Sequence, residues 1–173
     1  MDFEQVVRER RSIRKFLDKP VEESVLNAVL EDARLAPSWK NGQGWRLLVL
    51  TDREKILRAG AILGRNPGCD YATLPVLMFL LMDPRCSGQM DGKDYALVDA
   101  GIFIDHLTLS AAAHGLGSCV LGWLKHEELK KALGLPEALN LVAVLPMGYP
   151  AESPEPRARK PLSETVCFNE WSL

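Results

Sequence analysis

Cysteine is scarce in this 173-residue chain, and the four present, Cys69, Cys86, Cys119 and Cys167, form no CxxC pair. That spacing points away from a disulfide framework or a zinc ribbon and towards free thiols in a reducing compartment. Net charge is also small, −2 at neutral pH, so nothing draws the whole molecule to nucleic acid or an anionic membrane; any anion site must be local. Long apolar runs are missing, since the longest, Leu74 to Met82, is interrupted by Pro75 and is too short to cross a bilayer. The opening residues Met1 to Gln5 lack the basic and apolar regions of a signal peptide, and the expected location is the cytoplasm.

Catalytic motifs are lacking too. His106 and His114 lie eight apart on one helix and His126 opens another, so the histidines offer no metal site and none is expected. Gly115-Leu116-Gly117-Ser118-Cys119-Val120 is not a dinucleotide fingerprint, which would need glycine at Val120. GxSxG does not fit around Ser118, and Cys119 in an apolar strand reads as an inert core thiol. A chain without an acid–base constellation relies on a bound cofactor if it is an enzyme.

Hydrophobic periodicity divides the chain into alternating elements. Helices are predicted over Asp2 to Glu9, over Val21 to Leu35 between Pro20 and Pro37, and from a capping box at Thr51-x-x-Glu54 to about Leu63. The longest helix, Asp94 to His114, is apolar nearly all round and must be buried in a core or against a partner, with Gly115 as its left-handed cap. A short helix follows over His126 to Leu133. Strands are predicted over Trp45 to Leu50, Leu74 to Met82, Gly117 to Gly122 and Leu141 to Met147, and Asn66-Pro67-Gly68 reads as a turn. From Tyr149 onward four prolines leave an extended arm, 149–173, with no core of its own. The order defines a single α+β domain, 1–173, with a mixed central sheet flanked by helices.

Three segments carry groups suited to a ligand. Arg10-Arg11-Ser12-Ile13-Arg14 concentrates guanidinium forks and a hydroxyl between a helix end and an extended segment, a donor set that matches phosphate oxygens or simply a solvated basic turn. A second cluster, Arg157-x-Arg159-Lys160, lies in the arm. Together they could hold a dianion from both ends of the chain. At roughly 1.5–3 kcal/mol per charge-assisted hydrogen bond, three or four approach the roughly 8 kcal/mol of a micromolar complex. The loop from Pro37 through Ser38, Trp39 and Asn41 to Gln43 offers amides for the edge of a planar heterocycle and an indole for its face; a polar turn would look the same.

Taken together, these segments resemble the FMN-dependent nitroreductase family. Arg10 to Phe16 resembles its N-terminal phosphate motif, and Ala36 to Arg46 its flavin loop. Asp99-Ala100-Gly101, Gly115 to Cys119, Gly134-Leu135-Pro136, Gly148-Tyr149-Pro150 and Arg157 to Leu162 follow in the family's order. No one motif is decisive; the ordered set is.

The resemblance implies an obligate homodimer with FMN at the interface and exchanged C-terminal arms. It implies that Arg10, Arg11 and Ser12 hold the FMN phosphate with Arg157 and Arg159, the two groups meeting across paired chains, while Arg14 reaches the ribityl chain or the ring. Pro37, Ser38, Trp39 and Asn41 would approach the flavin from the partner, with Gln43 nearby. Val120, Leu121, Gly122 and Trp123 would run along the ring, one backbone amide facing N5. The implied activity is ping-pong transfer from NADH or NADPH to a small acceptor such as a nitroaromatic or quinone. Other flavin chemistry (fragmentation of the flavin, dehalogenation) and non-catalytic FMN binding are the alternatives. Departures from the family pattern are Gly44 after Gln43, Trp123 where glycine is usual, and a shortened middle from Gly60 to Asp94.

Overall fold

A computed structural model describes residues 2–64 and 68–172. The turn expected at Asn66-Pro67 lies outside the described residues. Helices α1 (Phe3–Glu9) and α2 (Glu23–Ala33) precede strand β1 (Trp45–Leu50), helix α3 (Arg53–Leu63) and strand β2 (Val76–Met82). A hairpin β3 (Gln89–Met90)/β4 (Lys93–Asp94) leads into α4 (Tyr95–Ala113), then β5 (Gly117–Ser118), α5 (His126–Leu133) and β6 (Asn140–Gly148).

The main sheet has the order β1-β2-β6-β5, and each neighbouring pair is antiparallel. Its parallel component is a bridge from Ser12 to Ser118, which lays the basic N-terminal segment along the β5 edge. Every residue of β2 is buried, as its unbroken apolar run requires of a strand covered on both faces. One face packs Leu77, Phe79 and Leu81 against Ile56 and Leu63 of α3 and Leu129 of α5. The other packs Val76, Met78, Leu80 and Met82 against Val29 of α2 and Ala100, Phe103 and Leu107 of α4.

Local chemistry explains the element ends. Asp2 caps α1 by accepting from the Gln5 amide at 2.9 Å, and Gly115 takes a φ of 77° after α4. Helix α3 is capped by Asp52, which accepts from the Lys55 amide, and not by the expected Thr51–Glu54 box. The polar segment before Asp94, expected as loop, forms with Asp94 a hairpin closed by Asp91 and Gly92, both at positive φ, the backbone a two-residue turn demands. The strand expected over Gly117 to Gly122 is interrupted after Ser118. There Cys119 meets Pro146, whose nitrogen has no hydrogen to return; pairing resumes where Leu121 and Val144 exchange bonds of 2.8 and 3.0 Å.

Helix α4 has the length and apolarity of a membrane span, yet it packs on α1, α2 and the sheet, with Ala100, Phe103, Leu107 and Ala111 buried. Leu97 and Val98 on the same helix are exposed, as are Phe3 and, in the arm, Phe168 and Trp171. The chain exposes 10641 Å² at 19.2 kDa, where a compact monomer of that mass exposes roughly 8,400 Å². Residues 153–166 of the extended arm are all exposed.

Candidate functional site

The N-terminal segment is fixed before any ligand is considered. Ile13 donates to the Ser118 carbonyl and its side chain is buried; a Cβ on Gly117 would fall 2.7 Å from it, so only glycine lets the segment approach β5 this closely. From the other side the start of the arm pairs with it. Leu17 donates to Tyr149, Ala151 donates to Lys15, and Glu152 accepts from the amides of Arg14 (2.6 Å) and Lys15 (3.1 Å). Two adjacent amides thereby share a carboxylate oxygen 138 positions on from Arg14, which ties the arm to the N-terminal segment.

The result is a cavity of about 270 Å³ lined by Arg8, Arg10, Arg11, Ser12 and Arg14 from the N-terminal segment and Glu155, Pro156, Arg157 and Arg159 from the arm. The two basic clusters thus meet within a single chain, without the partner that the resemblance invoked to join them. Arg11 donates through one nitrogen to the carbonyls of Arg8 (2.6 Å) and Arg10 (2.9 Å), closing the C-terminal end of α1. Arg159 is held similarly by the carbonyls of Arg157 and Ala158. Guanidinium groups and a hydroxyl in one lining outnumber its single carboxylate, Glu155, and suit a phosphate dianion.

The flavin-loop candidates lie elsewhere. Pro37, Ser38, Trp39, Asn41 and Gln43 do not line that cavity. They form a tight turn over Trp39–Asn41 in which Lys40, Asn41 and Gln43 all have positive φ. Three non-glycine residues in the left-handed region store strain, and it persists only because the surroundings fix the loop. Ser38 Oγ accepts from the Gln43 amide at 3.0 Å, and Asp99 Oδ1 accepts from the Trp39 amide at 2.9 Å. The Trp39 ring packs on Tyr95, centroids 4.4 Å apart, and over Gly88, where a Cβ would sit 2.2 Å from the indole. One face of the indole expected to stack on a ligand is therefore engaged with its own chain. The side chains of Asn41 and Gln43 are exposed.

The third group is split by burial. Leu121 is buried and its amide is committed to Val144, so the amide expected to face a ring is not that of Leu121. Val120 and Trp123 are exposed, and nothing lies within 4 Å of a Cβ built on Gly122. This edge offers bare backbone to an approaching planar group. Behind it Cys119 is buried, and burial pushes its thiol up, as it pushes the neighbouring Cys69 up to about 11. Neither is a nucleophile at neutral pH, in line with an inert thiol at Cys119. Among the described residues no cluster of histidine, cysteine and acidic side chains could hold a metal ion.

Two residues that brace the site had no role assigned from the sequence. Asp99, named there only within Asp99-Ala100-Gly101, is 2% exposed and bridges the Trp39 amide to the Ser87 hydroxyl, and Glu152 ties the arm to Arg14. A charged residue on the inward face of an apolar helix was the available signal for Asp99. Glu152 carried none, because its partners are backbone amides far away in sequence.

The chain thus combines an antiparallel sheet between two helical layers with a basic cavity built from both ends of the chain. Residues 7–67 and 68–149 match the Nitroreductase family, and the chain belongs to that family. It is 29% identical to an NADH dehydrogenase of Thermus thermophilus over 201 residues, covering 97% of this chain and 96% of that protein. Among solved structures, a nitroreductase family protein of Clostridium difficile aligns with a TM-score of 0.84 at 29% identity over 99% of this chain and 100% of the other. A nitroreductase of Exiguobacterium sibiricum in complex with FMN shares the fold, with a TM-score of 0.88 at 23% identity and 98% coverage of both.

Proposed function

We propose that this chain is an FMN-dependent oxidoreductase that takes electrons from NADH or NADPH and delivers them to a small acceptor such as a nitroaromatic or quinone, by a ping-pong mechanism, as a cytoplasmic homodimer. The observation that carries the reading is the single cavity shared by Arg10, Ser12, Arg14, Arg157 and Arg159. The donor set matches the phosphate of FMN in charge and in geometry. The FMN seen bound in the Exiguobacterium protein and the nicotinamide in the Thermus enzyme's name support the assignment.

When bound, FMN would supply the redox chemistry that links a nicotinamide donor to the acceptor. The chain's own work is binding and orientation. Arg10, Arg11, Ser12, Arg157 and Arg159 hold the phosphate, and Arg14 lies next along the segment, placed to stabilise negative charge on the reduced ring. The bare edge at Gly122 lets the ring approach the backbone. The exposed Leu97, Val98, Phe168 and Trp171 supply the apolar surface that a second copy buries through exchanged arms. Asn41 and Gln43, outside the chain's own cavity, then face the flavin of the partner subunit. Initial rates measured over a grid of NADH and nitroaromatic concentrations test the mechanism: parallel double-reciprocal lines support alternation, and lines that intersect contradict it.

A further inference from the structure

Past Glu152 the arm has few bonds to hold it against the rest of the chain. Among the described residues its last backbone hydrogen bond to the body runs from Ala151 to Lys15 at 2.9 Å, and residues 153–166 are all exposed. Further on, Arg159 donates to the carbonyls of Arg157 and Ala158, while the amides of Glu164, Thr165 and Val166 donate to Pro161 and Leu162, all within the arm. Pro154, Pro156 and Pro161 keep the stretch extended and stiff. Charge is the second observation. The basic cavity gathers six arginines, four from residues 8–14 and Arg157 and Arg159 from the arm, with Glu155 as its one carboxylate. None of the six is in an ion pair among the described residues. Like charges gathered in one hollow repel, so the arm's guanidinium groups are driven from those of the N-terminal segment; a dianion between them attracts both.

We infer that residues 153–161 form a strap operated by phosphate. It swings on the anchor at Ala151 and Glu152, open when the cavity holds no anion and closed over the phosphate of a bound ester, with Arg157 and Arg159 as its fasteners. The inference rests on the reading above that this cavity takes the phosphate of FMN. A ligand shifts such an equilibrium only by its preference for the closed form. That preference comes from the two arm guanidinium groups, at about 10- to 100-fold for each charge-assisted contact. Riboflavin, the same ring without the phosphate, therefore has no hold on the strap, and orthophosphate alone has one.

The test is nitrogen-15 relaxation of the Glu155, Ala158 and Lys160 amides in the full chain, alone and with FMN, riboflavin or orthophosphate, binding of each being followed by calorimetry. Order parameters below about 0.6 are expected for the free chain and with riboflavin, rising towards about 0.85 with FMN or orthophosphate. Amides already rigid in the free chain, or still mobile with FMN or orthophosphate bound, overturn the strap, as does equal ordering by riboflavin. Ordering by orthophosphate in a protein that takes up no FMN upholds the strap and fails the parent reading. A protein that binds neither fails both.

Discussion

The Asp99 carboxylate accepts a hydrogen bond from the backbone amide of Trp39 at 2.9 Å, and by that contact a buried charge on α4 fixes a loop in which three non-glycine residues hold positive φ. The same carboxylate accepts from Ser87 Oγ at 2.9 Å, so both loops at this end of the sheet hang from one side chain. Asp99→Ala leaves a buried amide and a hydroxyl without a partner, at about 1–3 kcal/mol for such groups. Urea unfolding is expected to show a loss of that size for alanine and a smaller one for Asp99→Asn, which keeps one acceptor. An unchanged midpoint for alanine contradicts the bracing role.

Arg10 and Arg157 approach the same cavity from opposite ends of the chain. Each charge-assisted contact is worth roughly 1.5–3 kcal/mol, so Arg10→Ala and Arg157→Ala are each expected to weaken FMN by about 10- to 100-fold with little change in thermal stability. Fluorescence titration of FMN measures this. A variant that holds FMN as tightly as wild type removes that arginine from the site.

Glu152 joins the arm to the N-terminal segment through the amides of Arg14 and Lys15. Glu152→Ala is expected to speed amide hydrogen exchange in residues 13–16 and 149–153 by at least tenfold, as a stapled segment is released to open locally. Unaltered exchange there shows that the Phe16–Pro150 bridge holds the arm without the carboxylate.

Burial pushes the Cys69 thiol up to about 11, with a further rise from its neighbours Cys119 and Asp70 opposed by Tyr71 and Arg14. The unfolded chain loses this proton near 8.5, so stability is intact below that pH and falls as pH climbs towards 11. Cys69→Ala removes that contribution, roughly 1–2 kcal/mol across the window. Comparing urea midpoints at pH 8 and pH 10.5 is expected to show a smaller alkaline drop for the variant. Parallel drops contradict a buried, protonated Cys69.

Much of this architecture was legible in the sequence, because burial writes itself into periodicity. The run Leu74 to Met82 reads as a strand covered on both faces and forms one over Val76–Met82, and the apolar helix read over Asp94 to His114 as buried in a core or against a partner packs in the core over much of Tyr95–Ala113. Arg10, Ser12, Arg157 and Arg159 stood out by residue type as candidate phosphate donors, although a solvated basic turn would look the same. Their meeting in one chain did not stand out, since it depends on Glu152 and the Phe16–Pro150 bridge, which pair residues through backbone atoms that carry no side-chain signature. The break after Ser118 likewise needed knowledge that Pro146 stands opposite Cys119. Asp99 was visible as a polar residue in an apolar helix, but its partners lie in two loops whose approach sequence spacing does not encode.

Whether the basic cavity holds a flavin that a nicotinamide can reduce is decided by one experiment. The measurement is the visible spectrum of purified protein, reconstituted with FMN and freed of excess, before and after NADH or NADPH is added without oxygen. A yellow protein whose flavin absorbance bleaches on addition is the predicted result. Protein that emerges colourless from reconstitution, or keeps its full flavin absorbance with both nicotinamides, contradicts it.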